Sequence, residues 1–280
     1  MFYIGLKGGL GNQLFQYAFY IEIKKFYPIV LDDTWFKLRK KNITLSEIIK
    51  DLKFTNDNVF KLADLKLSII SRIRKHFFKK KTHIIENQKT LFDFNSLDKE
   101  SDYYLDGYWQ SYKYFEKSLE EIKEIYFPKE KYKSLQQILK GKCNNKQLCS
   151  VHIRRGDYAN DKIMHCLSMK YYENAMSSYI KENPESVIIV FSDDIPFCKE
   201  NLQERNNLIF CDWNKSALDD LYSMAVCDDH ILSNSTFSYW GALLSRENGK
   251  VIYPSKWFGF ADSKDVSFMF PDEWICQESV

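Results

Sequence analysis

The chain has 280 residues, 45% hydrophobic and 28% charged, which is enough apolar material for a core and excludes a chain that stays disordered. Forty basic residues stand against 38 acidic ones, and a net charge of +2 leaves no bulk attraction for nucleic acid. The seven cysteines all lie from Cys143 onward with no CxxC pair, which argues for reduced thiols in a cytoplasmic protein rather than a zinc site or a disulfide framework.

From the N-terminus, residues 2–6 read as a buried strand running into glycines, not as the basic-then-apolar leader of a secreted chain. Apolar residues at helical spacing follow over 10–26, then a strand at 29–31 that ends at Asp32-Asp33. The stretch 34–102 is lysine- and asparagine-rich and parses poorly. Within it Arg72, Arg74, Lys75, Lys79, Lys80 and Lys81 form a basic run beside Phe77-Phe78, a solvated surface in one reading and a peripheral contact with anionic membrane through 72–81 in the other. No apolar run of about 18 residues occurs, so no membrane-spanning helix is expected. Residues 103–105 suggest a strand, and helical patterning occupies 113–126 and 129–140 around Pro128.

The polar turn at 141–146 marks a domain boundary, giving domains 1–145 and 146–280. Beyond it, strands at 148–153, 187–191, 208–210, 230–232 and 251–253 alternate with helical patterns at 168–181, 196–204, 216–226 and 236–246. That alternation predicts an α/β fold with a parallel sheet covered on both faces. Ligands of such sheets bind at the carboxyl ends of the strands. Here those ends empty into His152-Ile153-Arg154-Arg155-Gly156-Asp157, Ser192-Asp193-Asp194, Asp212 and Ser233-Asn234-Ser235-Thr236.

Four motifs carry chemistry, each with a plainer alternative. Gly8-Gly9-Leu10-Gly11-Asn12-Gln13 is a glycine turn entering a helix, suited to a phosphate at the helix start or to a tight turn alone. Gly9-x-Gly11 with Asp32 about 20 residues on also begins a dinucleotide fingerprint, although Leu14 stands where that fingerprint needs a third glycine. His152-x-Arg154-Arg155-x-Asp157 sets two guanidiniums side by side, matched to a diphosphate or to a structural ion-pair cluster. Asn234, Ser235, Thr236, Phe237 and Ser238 offer more polar groups than a helix cap requires. Asp193 and Asp194 can accept from a guanine edge or cap a helix before Pro196. No D-x-D occurs, so no catalytic metal and no cofactor are expected, and leaving-group charge must be met by Arg and helix N-termini.

Together with Gly107-Tyr108-Trp109-Gln110-Ser111 and Tyr171-Tyr172, these motifs, in this order from end to end, resemble glycosyltransferase family 11, the α-1,2-fucosyltransferases, and in particular its bacterial members. Tyr239-Trp240 departs from the two tryptophans usual near that point. The resemblance implies a GT-B fold of two Rossmann-like domains with a cleft between them, GDP-fucose as donor, a galactose-containing glycan as acceptor, inversion at the anomeric carbon and no metal. It implies donor contacts from Gly9, Gly11, Asn12, Gln13, Arg154, Asp193, Asp194 and residues 234–238, with Arg154, His152 and Asp157 as catalytic candidates. Asp157 is the first candidate for general base, with Asp161 and His165 in reserve. The acceptor side falls to 1–145 and the donor side to 146–280, in an enzyme of cell-surface glycan synthesis, cytoplasmic or peripheral on the inner face of the membrane. Two other readings stand beside it: an NAD(P)-dependent oxidoreductase built on Gly9-x-Gly11, and a non-catalytic sugar-binding protein.

Overall fold

The computed structural model describes residues 1–55, 81–87, 90–94, 97–98, 101–156, 165–258, 261–262 and 267–279. The expected membrane contact at 72–81 lies outside the described residues, apart from the backbone of Lys81. Among the described residues no helix is long and apolar enough to cross a membrane. The chain divides into two compact units, Met1–Ile125 and Tyr126–Val280.

In the first unit, β1 (Phe2–Gly5), β2 (Ile29–Asp32), β3 (Lys81–Ile85) and β4 (Asp102–Asp106) form a parallel sheet in the order β2-β1-β4-β3. Strand β3 lies in the stretch whose sequence pattern is ambiguous, and tertiary pairing with β4 makes it a strand. Alternation along β1 sends Phe2 and Ile4 to one face, at 2% and 0% exposed, and Tyr3 to the other, where Tyr3 and Tyr104 pack with Val30 and Trp35. Helix α1 (Leu10–Ile23) buries Leu14, Phe15, Ala18 and Phe19 completely, each larger side chain contributing about 1.5–3 kcal/mol. It stops three residues short of the expected 26 because Pro28 cannot continue it; the Pro28 carbonyl instead accepts from the Phe2 N–H at 2.8 Å. A short helix, α2 (Thr34–Arg39), follows β2, and α3 (Leu119–Tyr126) closes the unit.

The second unit begins earlier than the polar turn suggests. Helix α4 (Lys129–Lys142) is tied to elements later in the chain: Lys140 Nζ meets Asp228 Oδ1 at 2.6 Å, and the Tyr132 hydroxyl accepts from the Arg246 N–H at 3.2 Å. Phe127 stacks on Tyr222 at 4.2 Å, whose hydroxyl donates to the Tyr126 carbonyl. Side-chain contacts, invisible to turn composition, move the break from 145/146 to 125/126.

Strands β5 (Leu148–Ile153), β6 (Val187–Ser192), β7 (Leu208–Phe210), β8 (Asp229–Ile231) and β9 (Val251–Pro254) alternate with α5 (Met169–Glu182), α6 (Ile195–Asn201), α7 (Ala217–Ala225) and α8 (Thr236–Leu243). A small ribbon, β10 (Lys256–Phe258) with β11 (Ala261–Asp262), precedes the last strand, β12 (Ile275–Gln277). Sheet order is β12-β9-β8-β5-β6-β7, with every pairing parallel. Ser168, Asp194, Ser216 and Ser235 cap the four helices with side-chain acceptors, which is why each begins within a residue of its sequence signal. Val151, Ile188, Val190, Tyr171, Met176 and Ile231 sit in one buried cluster.

The amino edge of this sheet is held by Asp229, 4% exposed. Its Oδ2 accepts from Tyr179 Oη at 2.7 Å and Gln147 Nε2 at 2.6 Å, and its Oδ1 from the Lys250 N–H at 2.6 Å. Asp229→Ala strands three donors, and we expect a loss of at least about 3 kcal/mol, read as a Tm lower by about 6–12 °C in thermal unfolding followed by circular dichroism.

Candidate functional site

Strand β5 lies between β6, its successor, and β8, to which the chain crosses back. That reversal is the topological switch point of a doubly wound sheet, where the loops after the two strands part and leave a crevice. The residues leaving β5 and β8 are those singled out in the sequence.

Leaving β5, Arg154 places Nη1 2.8 Å from Asp193 Oδ2, and its side chain remains 30% exposed. The Arg155 N–H donates to Asp193 Oδ1 at 2.9 Å, its Nε lies 3.5 Å from Asp194 Oδ2, and its guanidinium covers the Phe197 ring. Asp194 also accepts from the Phe197 N–H at 3.2 Å as the cap of α6. The two adjacent guanidiniums, matched in the sequence to a diphosphate or to a structural ion-pair cluster, thus each face a carboxylate that follows β6. Asp193 and Asp194, expected as base acceptors, are engaged with them. Gly156 permits this closeness, since a Cβ there would stand 2.5 Å from Asp193 Oδ2. Arg154 is thus oriented by Asp193 and still open to solvent, an arrangement that can take an anion. Asp157 and Asp161 lie outside the described residues.

His152 is 4% exposed, with Nδ1 3.0 Å from Ser233 Oγ and its ring beside Phe237. Burial first, and the Arg154 charge second, lower its pKa to about 3, so the imidazole is neutral. Leaving β8, Ser235 Oγ accepts from the Phe237 N–H at 3.3 Å as the cap of α8. Ser238 Oγ donates to the Ser235 carbonyl at 3.0 Å and lies 3.5 Å from Ser233 Oγ. These hydroxyls wire the turn to β5, so Ser235, Ser238 and His152 build the turn's shape. Asn234 Nδ2 donates to the His165 carbonyl at 3.0 Å, while Thr236 and Phe237 are half-buried at the first turn of α8. Both ring nitrogens of His165 are buried without a hydrogen-bond partner among the described residues, and burial, with Lys256 adding, lowers its pKa.

In the first unit the strand order reverses between β1 and β4, and the glycine turn leaves β1 there. Gly8 has φ +82°, the left-handed region open to glycine. Gly9 opens α1 with no side-chain cap, and Gly11 is buried in its first turn. The Asn12 Oδ1 accepts from Gln110 Nε2 at 2.8 Å, which joins this turn to the segment leaving β4. Gln13, expected at a ligand, is 1% exposed: Nε2 donates to the Gly8 carbonyl at 2.9 Å and Thr44 Oγ1 at 3.0 Å, and Oε1 accepts from the Leu45 N–H at 2.9 Å. Its amide is spent on the framework.

Sequence reasoning missed two groups beside this turn. Asp106 takes Lys7 Nζ at 2.5 Å on one oxygen and His83 Nε2 at 3.0 Å on the other, and these, the His83 bond foremost, lower its pKa to about 2. Glu86 accepts from the Tyr108 N–H at 2.7 Å. Only Gly107, whose Cβ would stand 2.5 Å from Glu86 Cβ, hinted at the second.

A family model described as Glycosyl transferase family 11 matches residues 1–278. Two Escherichia coli proteins are each 30% identical to the chain. An alpha-1,2-colitosyltransferase aligns over 96% of this chain and 96% of its own length, and the O-antigen biosynthesis glycosyltransferase WbnK over 98% and 99%. A galactoside 2-alpha-L-fucosyltransferase of Caenorhabditis elegans is 29% identical over 53% of this chain and 44% of its own. Among solved structures, the fucosyltransferase NodZ from Bradyrhizobium is similar over 87% of this chain and 93% of that one, at 13% identity and a TM-score of 0.48.

The buried imidazoles of the second unit set a pH dependence. His230, 2% exposed with Nδ1 2.8 Å from Ser150 Oγ, is lowered by burial to about 3, as His152 is by burial and Arg154. Unfolded, each takes its proton near 6.5, so the unfolded chain binds more protons from there down to about 3 and stability is lost as pH falls through that window. The unfolding free energy from urea titration should drop from pH 7.5 to pH 5, by about 2 kcal/mol for each imidazole. His230→Asn should lessen the drop, and a flat profile would contradict the buried, neutral state.

Proposed function

The chain belongs to glycosyl transferase family 11, and from that premise we propose that it transfers L-fucose from GDP-β-L-fucose to the 2-hydroxyl of a galactoside in cell-surface glycan synthesis. The observation that carries the donor side is the pairing of a half-open, carboxylate-oriented Arg154 with the start of α8 across the switch point of the β5–β8 sheet. Family membership, with the fold, favours this over an oxidoreductase built on Gly9-x-Gly11. One relative is named a colitosyltransferase, so a donor carrying that related sugar is the second reading.

In this mechanism the bond between the anomeric carbon and the β-phosphate oxygen lengthens, and negative charge grows on the departing diphosphate. Arg154 and the amide N–H groups at the first turn of α8 meet that charge, each such donor being worth about 2.7–4 kcal/mol of barrier. The galactoside hydroxyl attacks from the opposite face, so the β-linked donor gives an α product in one displacement. Its proton passes to a base, with Asp157 first and the neutral His165 imidazole in reserve. His152 acts through Ser233, keeping the turn after β8 in register with Arg154. Asp193 and Asp194 hold the two arginines in the free enzyme; the guanine contact assigned to them requires that one carboxylate serve both partners. The second unit takes the nucleotide and the first the acceptor.

Incubation with GDP-fucose and a panel of galactosides, with NMR of the product linkage, tests the reading: an α-1,2-fucosyl product is expected, and a product formed only from the colitose nucleotide would select the second reading. Arg154→Lys should lower kcat by about 100-fold in a folded protein, because a point ammonium cannot replace the fork. Retention of activity within about threefold, at matched donor saturation, would remove Arg154 from the diphosphate. With no D-x-D motif, turnover should also withstand excess EDTA, and a strict need for manganese would overturn that part.

A further inference from the structure

At the carboxyl end of β4 the backbone does something costly. Trp109, fully buried, has φ +56°, a region that bulky residues avoid and that persists only where the surroundings over-determine it. Its ring is gripped by Phe19, stacked at 4.5 Å, and by the edges of Tyr114 at 5.6 Å and Phe92 at 6.3 Å. The turn sets the Tyr108 N–H 2.7 Å from Glu86 Oε2, and the backbone of Trp109 and Gln110, next in line, also favours the charged form of that carboxylate. Successive amides aimed at one point form an anion nest. Here the occupant is internal. Gly107 leaves room for it, because a Cβ there would lie 2.7 Å from Glu86 Oε2. The far end of the turn is Gln110, whose Nε2 donates to Asn12 Oδ1 in the glycine turn.

We propose that Glu86 is a positioning residue: its carboxylate, seated in the nest, holds the strained 107–110 turn and so fixes the Gln110–Asn12 pair at the entrance to α1. The observed chain of contacts runs from the acid to the turn and from the turn to a motif that the transferase reading uses, so the consequence for activity rests on that reading while the clamp itself does not. A hydrogen bond from an amide to a charged acceptor is stronger than one to a neutral group, and the backbone of 108–110 favours the charged carboxylate here. The arrangement therefore depends on the charge of Glu86. Burial raises its pKa, with the backbone of 108–110 and Lys7 acting the other way, so the clamp releases at a higher pH than an ordinary carboxylate would. The ionisable groups around it are Lys7, which also holds Asp106 and lies over the Tyr108 ring, His83 on Asp106, and Tyr114.

The decisive variant is Glu86→Gln, which keeps the shape, removes the charge and turns an N–H₂ toward donors. Amide hydrogen exchange at 108–110 should quicken by about tenfold at pH 7.5 while the rest of the first unit is unchanged. Tm should hold or rise, since the cost of burying the charge goes with it. With GDP-fucose and the best galactoside, kcat/KM should fall by about tenfold at pH 7.5, and the acid limb should lose the step that follows Glu86 and keep the one set by the general base. Unchanged exchange at 108–110 overturns the clamp. A lowered Tm with normal kcat/KM also overturns it, leaving Glu86 a merely structural group. Should the variant not fold, the wild type serves: exchange at 108–110, corrected for the intrinsic pH effect, must rise as pH falls through the Glu86 titration, and a flat profile refutes the proposal. Absence of transfer from any sugar nucleotide by the wild type defeats the functional reading instead, and exchange alone then decides the clamp.

Discussion

The pairing of β5 with β6 on one side and β8 on the other governs the second unit. Ile153 lies opposite Ser192, and Val151 opposite Ile231, so the residues that leave these strands emerge at one rim. Because every pairing in this sheet is parallel, that rim collects the loops that enter α5, α6, α7 and α8. The opposite rim, with Asp229, Gln147 and Lys250 closing on one another, is built for stability. In the proposed reading, chemistry and stability are thus separated to the two ends of one sheet.

Charge in the candidate site follows from the same pairing. β6 sets Asp193 and Asp194 beside β5, where Arg154 and Arg155 leave it, and the four charges cancel. The fold can therefore carry two adjacent guanidiniums without an anion, and in the proposed reading a phosphate shares Arg154 with a carboxylate already in place. Such prior orientation reduces what must be reorganised as charge develops on a leaving group. Arg155, laid over Phe197, reads as the scaffold member of the pair and Arg154 as the working one.

The first unit solves a different problem: holding an irregular backbone still. Gly8 at φ +82° and Trp109 at φ +56° bend the two segments that meet at its switch point, and buried amides keep them there. Gln13 binds the Gly8 carbonyl and Gln16 the Gly107 carbonyl, at 2.9 and 3.1 Å. In sequence Gln13 looks like a ligand of a phosphate loop. In the fold both glutamines satisfy backbone groups that have no partner in a sheet or helix, a need created by the turns themselves.

What the sequence by itself determined is the part written in short-range patterns. The alternation after residue 146, the starts of α5, α6, α7 and α8, and the strand bounds of β5 and β7 all rest on contacts a few residues long, and they stand within a residue of where the patterns put them. The ordered motifs were legible for the same reason, and with them the family. Tertiary structure alone decided what depends on distant partners. It made a strand of 81–85 by pairing it with β4, and it joined α4 to the second unit through Asp228, Tyr222 and Arg246. It also made Asp193 and Asp194, candidate ligand contacts, counter-charges of the two arginines, and Gln13 a strut of the glycine turn. Glu86 shows the limit most plainly: no spacing connects it with Tyr108, Trp109 and Gln110, because a nest is formed by backbone conformation and its occupant arrives from another strand.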